Sequence, residues 1–134
     1  MGGYGAGMAP DSSTPVLRSF VYDCADPPAL AAFYGRLLGG RVDDRDPHWC
    51  EVHVSGLPVK LAFQWVEHYV APQWPDGQPQ QAHLDLTVDD IPSASARAVA
   101  QGARVLGQPV AEEGGSFLVH LDPEGHPFCL CDSP

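Results

Sequence analysis

Two cysteines stand one residue apart near the end of the chain, in the stretch DPEGHPFCLCDSP that runs from Asp122 to Pro134. Such thiols could ligate a metal, attack a substrate, or fill a sheet as small apolar residues. We expect no disulfide between Cys129 and Cys131, because residues i and i+2 of a strand have Cα atoms roughly 6.5–7 Å apart, the outer limit for bridging. Two thiolates alone are also too few ligands for a structural zinc.

Carboxylates and imidazoles alternate with apolar residues in two other stretches, HWCEVHV and AHLDLTV. The first stretch contains Glu51 and His53, and the second contains His83 and Asp85. Because strand side chains alternate between two faces, the members of each pair share a face. Together with Asp23, these groups could act as acid and base or attract a cationic ligand. The alternative is that they are solvated on an open surface.

Two segments have the 3.6-residue period of a helix. In DPPALAAFYGRLLGG, Asp26 is the expected N-cap and the glycines at 39 and 40 are the expected end. In DDIPSASARAVAQGA, Asp90 is the expected N-cap and Gly102 the expected end. One strand pattern precedes each helix and three follow it. The chain therefore predicts a strand-helix-three-strand module that occurs twice.

The two halves also match residue by residue. When Asp26 is aligned with Asp90, Pro28 falls on Pro92. Further along the chain, the tripeptide GLP at 56–58 matches GHP at 125–127. Matches that follow one another in the same order indicate an internal duplication.

A linker, VEHYVAPQWPDGQPQQ, separates the halves and contains three prolines, so we expect neither a helix nor a strand there. Its Trp74 either covers an open edge of the core or closes a pocket as a lid. A chain of 134 residues is enough for a single core. The expected divisions are a flexible lead-in at 1–15 and one domain at 16–134, with module one at about 16–65, the linker at 66–81 and module two at about 82–131.

The composition excludes several classes of partner. The formal net charge of −10 argues against nucleic acid and against anionic membranes, which both require clusters of Lys and Arg. No apolar run approaches the ~20 residues of a membrane span, and the N-terminal stretch lacks the pattern of a signal peptide. The four cysteines then indicate free thiols in a reducing compartment, and we expect a cytoplasmic protein.

The chain resembles the vicinal oxygen chelate superfamily, which includes glyoxalases, bleomycin-resistance proteins and extradiol dioxygenases. The resemblance rests on the duplicated module, on HLDLTVDD at 83–90 and on DPEGHPF at 122–128. The run WPDGQPQQAHLDLTVDD is similar to glyoxalase-like domains common in actinobacteria, mostly without assigned activity. The resemblance implies an α+β fold, in which two βαβββ modules form a curved mixed sheet around a cleft with helices outside. It also implies that a homodimer is a reasonable expectation.

In that fold, one face of each strand lines the cleft and the other packs in the core. By this alternation Trp49 shares the cleft face, Trp65 has the parity of the core face, and Cys24 and Cys50 belong to the core. The residues expected to line a ligand-binding cleft are Ser19, Asp23, Glu51, His53, Lys60, Gln64, Trp74, His83, Asp85, Cys129 and Cys131.

Metal enzymes of the superfamily hold a divalent ion with four side chains. The resemblance carries these positions onto Ser19, Lys60, His83 and Cys129. Serine is a poor ligand, and a lysine ammonium places a positive charge where the cation would sit. The two capable ligands that remain fall short of the three that hold a catalytic zinc. We therefore expect no metal or other cofactor. The alternative is a rearranged metal site that uses Asp85, His53 or Glu51.

Acids and aromatic residues at the cleft predict a domain that binds a small organic molecule, without the metal site usual in the superfamily. One alternative is a divergent metal-dependent lyase, isomerase or dioxygenase. Another is a metal-free enzyme with Cys129 as nucleophile beside His83 and Lys60, since a neighbouring cation lowers the pKa of a thiol. We favour Cys129 as part of a pocket wall.

Overall fold

The computed structural model describes residues 17–74 and 76–132. The lead-in expected at 1–15 lies outside the described residues. Strand, helix and three strands follow one another twice, as predicted. The elements are β1 (Ser19–Cys24), α1 (Pro27–Leu38), β2 (Arg41–Asp46), β3 (Trp49–His53), β4 (Lys60–Trp65), β5 (Leu84–Thr87), α2 (Ile91–Ala100), β6 (Arg104–Glu112), β7 (Gly115–Leu121) and β8 (Pro127–Cys131).

Each module forms a four-stranded mixed sheet, in the order β1-β4-β3-β2 for the first and β5-β8-β7-β6 for the second. The first and last strands of each module run parallel, because the helix and two strands between them provide the long connection that a parallel pair needs. Ser19 pairs in register with Lys60 in the first sheet, and Leu84 pairs with Phe128 in the second. The predicted α+β fold of two βαβββ modules is confirmed.

Both helices begin and end where the sequence predicts. The Asp26 carboxylate accepts the backbone N–H of Ala29 at 3.2 Å, and the Asp90 carboxylate accepts that of Ser93 at 3.0 Å. Gly39 ends α1 with φ of 66°, a left-handed conformation that costs a residue with a Cβ about 1 kcal/mol or more. Neither helix of the described chain has the length and apolar character that crossing a membrane requires.

A hydrophobic core cluster joins the two modules. The ring of Phe33 on α1 lies 6.1 Å from that of Phe128 on β8, measured between centroids. The neighbouring Tyr34 stacks on Phe63 of β4 at 5.4 Å. The helix α1 therefore contacts strands of both sheets, so the modules share apolar burial instead of forming two separate cores.

Two assignments to the core have different outcomes. Cys24 and Cys50 are fully buried, as predicted. Trp65 pairs in register with the buried Cys24 and so has the parity of the core face, but its side chain is 42% exposed and its ring stacks on His48 at 4.8 Å. Trp65 is the last residue of β4, and its ring packs against a turn residue at the end of the sheet. Alternation gives the face of a side chain, but not whether another element covers that face.

A buried carboxylate ties the turn before β8 to both modules. Asp122 is fully buried, and its Oδ1 accepts the backbone N–H groups of Glu124 at 2.8 Å and His126 at 3.0 Å. Its Oδ2 accepts the Tyr34 hydroxyl and Nδ1 of His126, each at 2.8 Å. The Nε2 atom of His126 donates to the backbone carbonyl of Asp23 at 2.7 Å. The DPEGHPF motif thus holds β1 and α1 against the second module.

Both ring nitrogens of His126 face acceptors, so this hydrogen-bond pattern requires the protonated imidazolium. Burial lowers the pKa of His126, but the hydrogen bond and charge of Asp122, the Asp23 carbonyl and the charge of Glu124 outweigh it and raise the pKa above its ordinary value. Folding therefore favours the protonated form of this ring.

The free energy of unfolding is expected to fall as pH rises from about 6.5, the unfolded-state pKa of histidine, through the raised folded-state pKa of His126. Below that window the stabilising contribution is fully present. Tyr22 and Tyr69 also face the ring, but burial raises the pKa of both hydroxyls, so they stay neutral in this range. Urea unfolding at several pH values across this range should show that the free energy of unfolding falls less steeply with pH in His126→Gln than in the wild type. Equal slopes would contradict the assignment.

Candidate functional site

On strands β5 and β8, the face opposite the core carries residues that were predicted to line a cleft. On β8, Phe128 and Leu130 pack into the core, whereas Cys129 and Cys131 line a pocket on the opposite face. On β5, Asp85 is exposed between two leucines that pack against the core. The predicted alternation of these two strands is confirmed.

On the first sheet, three side chains gather around the carboxylate of Glu51. Trp49 Nε1 donates to Glu51 Oε2 at 3.0 Å, while His53 Nε2 and Lys60 Nζ lie 3.2 and 3.6 Å from Oε1. The Trp49 hydrogen bond, followed by the charge of Lys60 and the contact with His53, lowers the pKa of Glu51 against the opposing effect of burial. We call these four residues the first-sheet cluster. Its carboxylate is already engaged by its neighbours.

The remaining predicted cleft residues of the first module lie along β1 and β4. Ser19 pairs in register with Lys60, and Gln64 Nε2 donates to Asp23 Oδ1 at 2.7 Å. Asp23 and Asp85 line different pockets. The two aspartates therefore belong to separate sites, and each interacts with a partner from its own module.

A pocket of about 300 Å³ opens on the second sheet. Its volume lies at the lower end of the ~300–1,000 Å³ typical of sites for small molecules. Trp74 reaches it from the linker, which favours the interpretation of this residue as a lid. We call it the second-sheet pocket, and its lining residues are Trp74, His83, Asp85, Phe117, Val119, Cys129 and Cys131.

Two apolar residues of this wall, Phe117 and Val119, were not among the predicted cleft residues. Strand β7 pairs with β8 so that Phe117 lies beside Cys131 and Val119 beside Cys129. Residues paired across neighbouring strands share a face of the sheet. The alternation within SFLVHL, once β7 is placed next to β8, would have identified both.

Three potential ligand groups converge at the polar end of this pocket. His83 Nε2 lies 3.2 Å from Asp85 Oδ1, and Asp85 pairs in register with Cys129 across β5 and β8. The ligand atoms of all three residues lie within 4.8 Å of one another. The strand pair β5 and β8 supplies an oxygen and a sulfur donor, and His83, directly before β5, supplies a nitrogen donor.

The Cys129 thiol is neutral in this environment. Burial, the negative charge of Asp85 and the neighbouring Cys131 raise the pKa of Cys129 to about 12. The expectation that Lys60 lowers this pKa is therefore wrong. Lys60 contacts Glu51 on the first sheet, whereas the charged neighbour of the thiol is an anion. A protonated thiol is a weak nucleophile, which disfavours the metal-free Cys129, His83 and Lys60 enzyme.

The four positions that hold metal in the superfamily do not fit a divalent cation here. Ser19 and Lys60, the two positions from the first module, offer a hydroxyl and an ammonium, and that ammonium lies 3.6 Å from the carboxylate of Glu51. An ammonium cannot donate a lone pair to a metal, and its charge repels the ion. The four-residue site is therefore unsuited to the cation.

A further pocket, of about 280 Å³, lies between β1, the linker and the start of β8. Tyr69 and His126 contribute to its wall, as does Asp23. The Tyr22 hydroxyl and Gln80 Oε1 at this pocket are buried without a hydrogen-bond partner among the residues that the structure describes. We call it the junction pocket, because both modules and the linker form it.

A sequence profile for the glyoxalase-like domain matches residues 19–131, which is most of the chain. No curated protein shows significant similarity to it.

Several solved structures share the fold. One is a glyoxalase/bleomycin resistance protein/dioxygenase family enzyme from Burkholderia phytofirmans PsJN, with a TM-score of 0.67 and 22% identity over 84% of this chain and 94% of that one. The fosfomycin resistance protein FosX from Mesorhizobium loti has a TM-score of 0.63 and 14% identity, covering 90% and 92% of the two chains. TioX from Micromonospora sp. ML1 has a TM-score of 0.62 and 16% identity, covering 90% and 100%.

At these identities the structural comparisons show the fold alone, and the profile match shows the family. The duplicated module, the sheet order and the matched residues agree with one another. The chain belongs to the glyoxalase-like domain family.

Proposed function

We propose that this protein binds a small organic molecule in the second-sheet pocket, independently of the four-residue metal site of its superfamily. The observation that carries the proposal is the composition of the pocket wall. Trp74, Phe117 and Val119 provide an apolar surface opposite the polar group of His83 and Asp85. Sites for small molecules combine apolar walls with a few convergent polar groups in this way.

The pocket favours an aromatic ligand with a basic group. Trp74 and Phe117 offer faces on which an aromatic ring can stack, and a cation near such faces gains a further attraction. The exposed carboxylate of Asp85 supplies the opposite charge, and the net charge of −10 disfavours anions. A protective role, in which the pocket sequesters a harmful compound, is consistent with this chemistry.

The proposal includes a cytoplasmic location and a homodimer. Cys24, Cys50 and Cys129 form no disulfide within the part of the chain that the structure describes, as is usual in a reducing compartment. Strands β2 and β6 end the two sheets, and edge strands are common sites of pairing between copies of a chain.

A thermal-shift screen of small aromatic amines such as benzylamine, tryptamine and aminoquinoline tests the proposal, with EDTA present so that metal plays no part. A compound that binds the native state raises its melting temperature. Trp74→Ala should weaken the binding of each hit about tenfold, because loss of an aromatic contact costs ~1–1.5 kcal/mol. The control is Trp49→Ala in the first-sheet cluster, since both tryptophans are 37% exposed.

Two outcomes of this screen would contradict the proposal. The first is that no member of the panel raises the melting temperature. The second is that hits lose affinity in Tyr22→Phe but keep it in Trp74→Ala, which would place binding in the junction pocket.

A further inference from the structure

We propose that His83, Asp85 and Cys129 form a binding site for a divalent cation of the zinc class, with all three ligands supplied by the second module. The site lies at the polar end of the second-sheet pocket. It goes beyond the proposed function, because binding of an organic molecule in this pocket does not require the ion.

The arrangement of the three residues suits a single ion. Their ligand atoms lie within 4.8 Å of one another. Zinc bonds of ~2.0–2.3 Å place tetrahedral ligand atoms about 3.5 Å apart, so small side-chain rotations close the site. His83 and Asp85 are exposed and have room to turn, while Cys129 is fixed on the buried strand β8. The strand pairing of Asp85 with Cys129 determines most of this geometry.

The chemistry of the donors selects the class of metal. An imidazole nitrogen and a thiolate sulfur suit zinc and cobalt, whereas magnesium and calcium require sets made of oxygen donors. On binding, the metal displaces the thiol proton, so one thiolate and one carboxylate balance the two positive charges. Three protein ligands leave a fourth position open, which is the arrangement of catalytic zinc sites.

This site differs from the four-residue site of the superfamily in its third ligand. Asp85 is not one of the four positions, and Ser19 and Lys60 take no part. Lys60 forms an ion pair with Glu51, 3.6 Å away on the first sheet. An ion bound here and a basic group of an organic ligand would compete for the carboxylate of Asp85. When the ion is bound, an organic ligand would therefore bind at the open coordination position through an atom that donates a lone pair.

Metal titration of the full-length protein tests the site. The protein is purified without a metal-affinity tag and stripped with EDTA, then titrated with Zn²⁺ by calorimetry and with Co²⁺ by absorption spectroscopy. We expect one ion per chain and a tetrahedral Co²⁺ spectrum with a thiolate-to-cobalt charge-transfer band. His83→Ala, Asp85→Asn and Cys129→Ser should each lower Zn²⁺ affinity by at least about 100-fold, since loss of even an outer partner costs ~10–100-fold.

The matched control is His53→Ala, in the first-sheet cluster. It should leave the Zn²⁺ affinity and the Co²⁺ spectrum unchanged. Asp85→Asn alters an exposed side chain, so we expect this variant to fold even if replacing the buried Cys129 destabilises the protein. Absence of stoichiometric binding, or binding that Asp85→Asn or Cys129→Ser leaves intact, would overturn the proposal. The amine screen in EDTA is unaffected by these results, so the two proposals can fail separately.

Discussion

Replacing Asp122 with alanine is expected to lower the free energy of unfolding by about 3–5 kcal/mol, the cost of breaking a buried ion pair. The variant removes the carboxylate that is hydrogen-bonded to the buried His126 ring and also removes the acceptor of the Tyr34 hydroxyl. It also removes the acceptor of two backbone N–H groups in the turn before β8. A domain of this size has a total stability of only ~5–15 kcal/mol, so much of it would be lost.

Urea unfolding followed by circular dichroism measures this change. The control Asp44→Ala, at an exposed position of β2, should change stability by less than about 0.5 kcal/mol. Asp122→Asn keeps the shape and one acceptor but removes the charge, so we expect an intermediate loss that is measurable even if the alanine variant does not fold. A loss below about 1 kcal/mol for Asp122→Ala, the size of one ordinary hydrogen bond, would show that the network does not hold the modules together.

Phe128→Ala is expected to cost a similar ~3–5 kcal/mol, the range for removing a fully buried aromatic ring. The ring contacts Phe33 and Tyr34 of α1 at centroid distances of 6.1 and 6.5 Å, and it stacks on His120 of β7 at 5.3 Å. The resulting cavity would therefore lie where the helix of the first module packs on the sheet of the second.

The matched control for this cavity is Phe117→Ala on the neighbouring strand. Phe117 is only partly buried and lies on the opposite face, in the wall of the second-sheet pocket. Because Phe117 buries less area than Phe128, we expect Phe117→Ala to lower the free energy of unfolding by less than about 2 kcal/mol. The same variant should weaken binding of an aromatic ligand. Equal losses for the two phenylalanines in urea unfolding would contradict the assignment of the two faces.

Local patterns were sufficient to predict the helix ends and the strand faces. The Asp26 and Asp90 caps act on backbone N–H groups three residues further along, so no distant part of the chain is needed to identify them. The faces of β8 were predictable because a shift of one residue would expose Phe128 and Leu130.

Contacts between distant parts of the chain could not be predicted in this way. Asp122 reads as the start of a turn, and only the packed fold brings it to Tyr34, 88 residues away. Lys60 occupies the position in the first module that Cys129 occupies in the second. Its charged partner is nevertheless Glu51, because both residues belong to the first sheet. Asp85 was assigned to the right face, yet only the register of β5 on β8 places it beside Cys129, where we propose that it acts as a third ligand.

The most direct test of ligand binding in the second-sheet pocket is a two-dimensional ¹H–¹⁵N NMR titration of the metal-free protein with the strongest aromatic amine from the screen. The chain has three tryptophans, and each gives one indole N–H signal. We expect the Trp74 signal to shift in proportion to binding, while the signals of Trp49 and Trp65 stay in place. A shift of the Trp49 or Trp65 signal with Trp74 unmoved would contradict ligand binding in the second-sheet pocket.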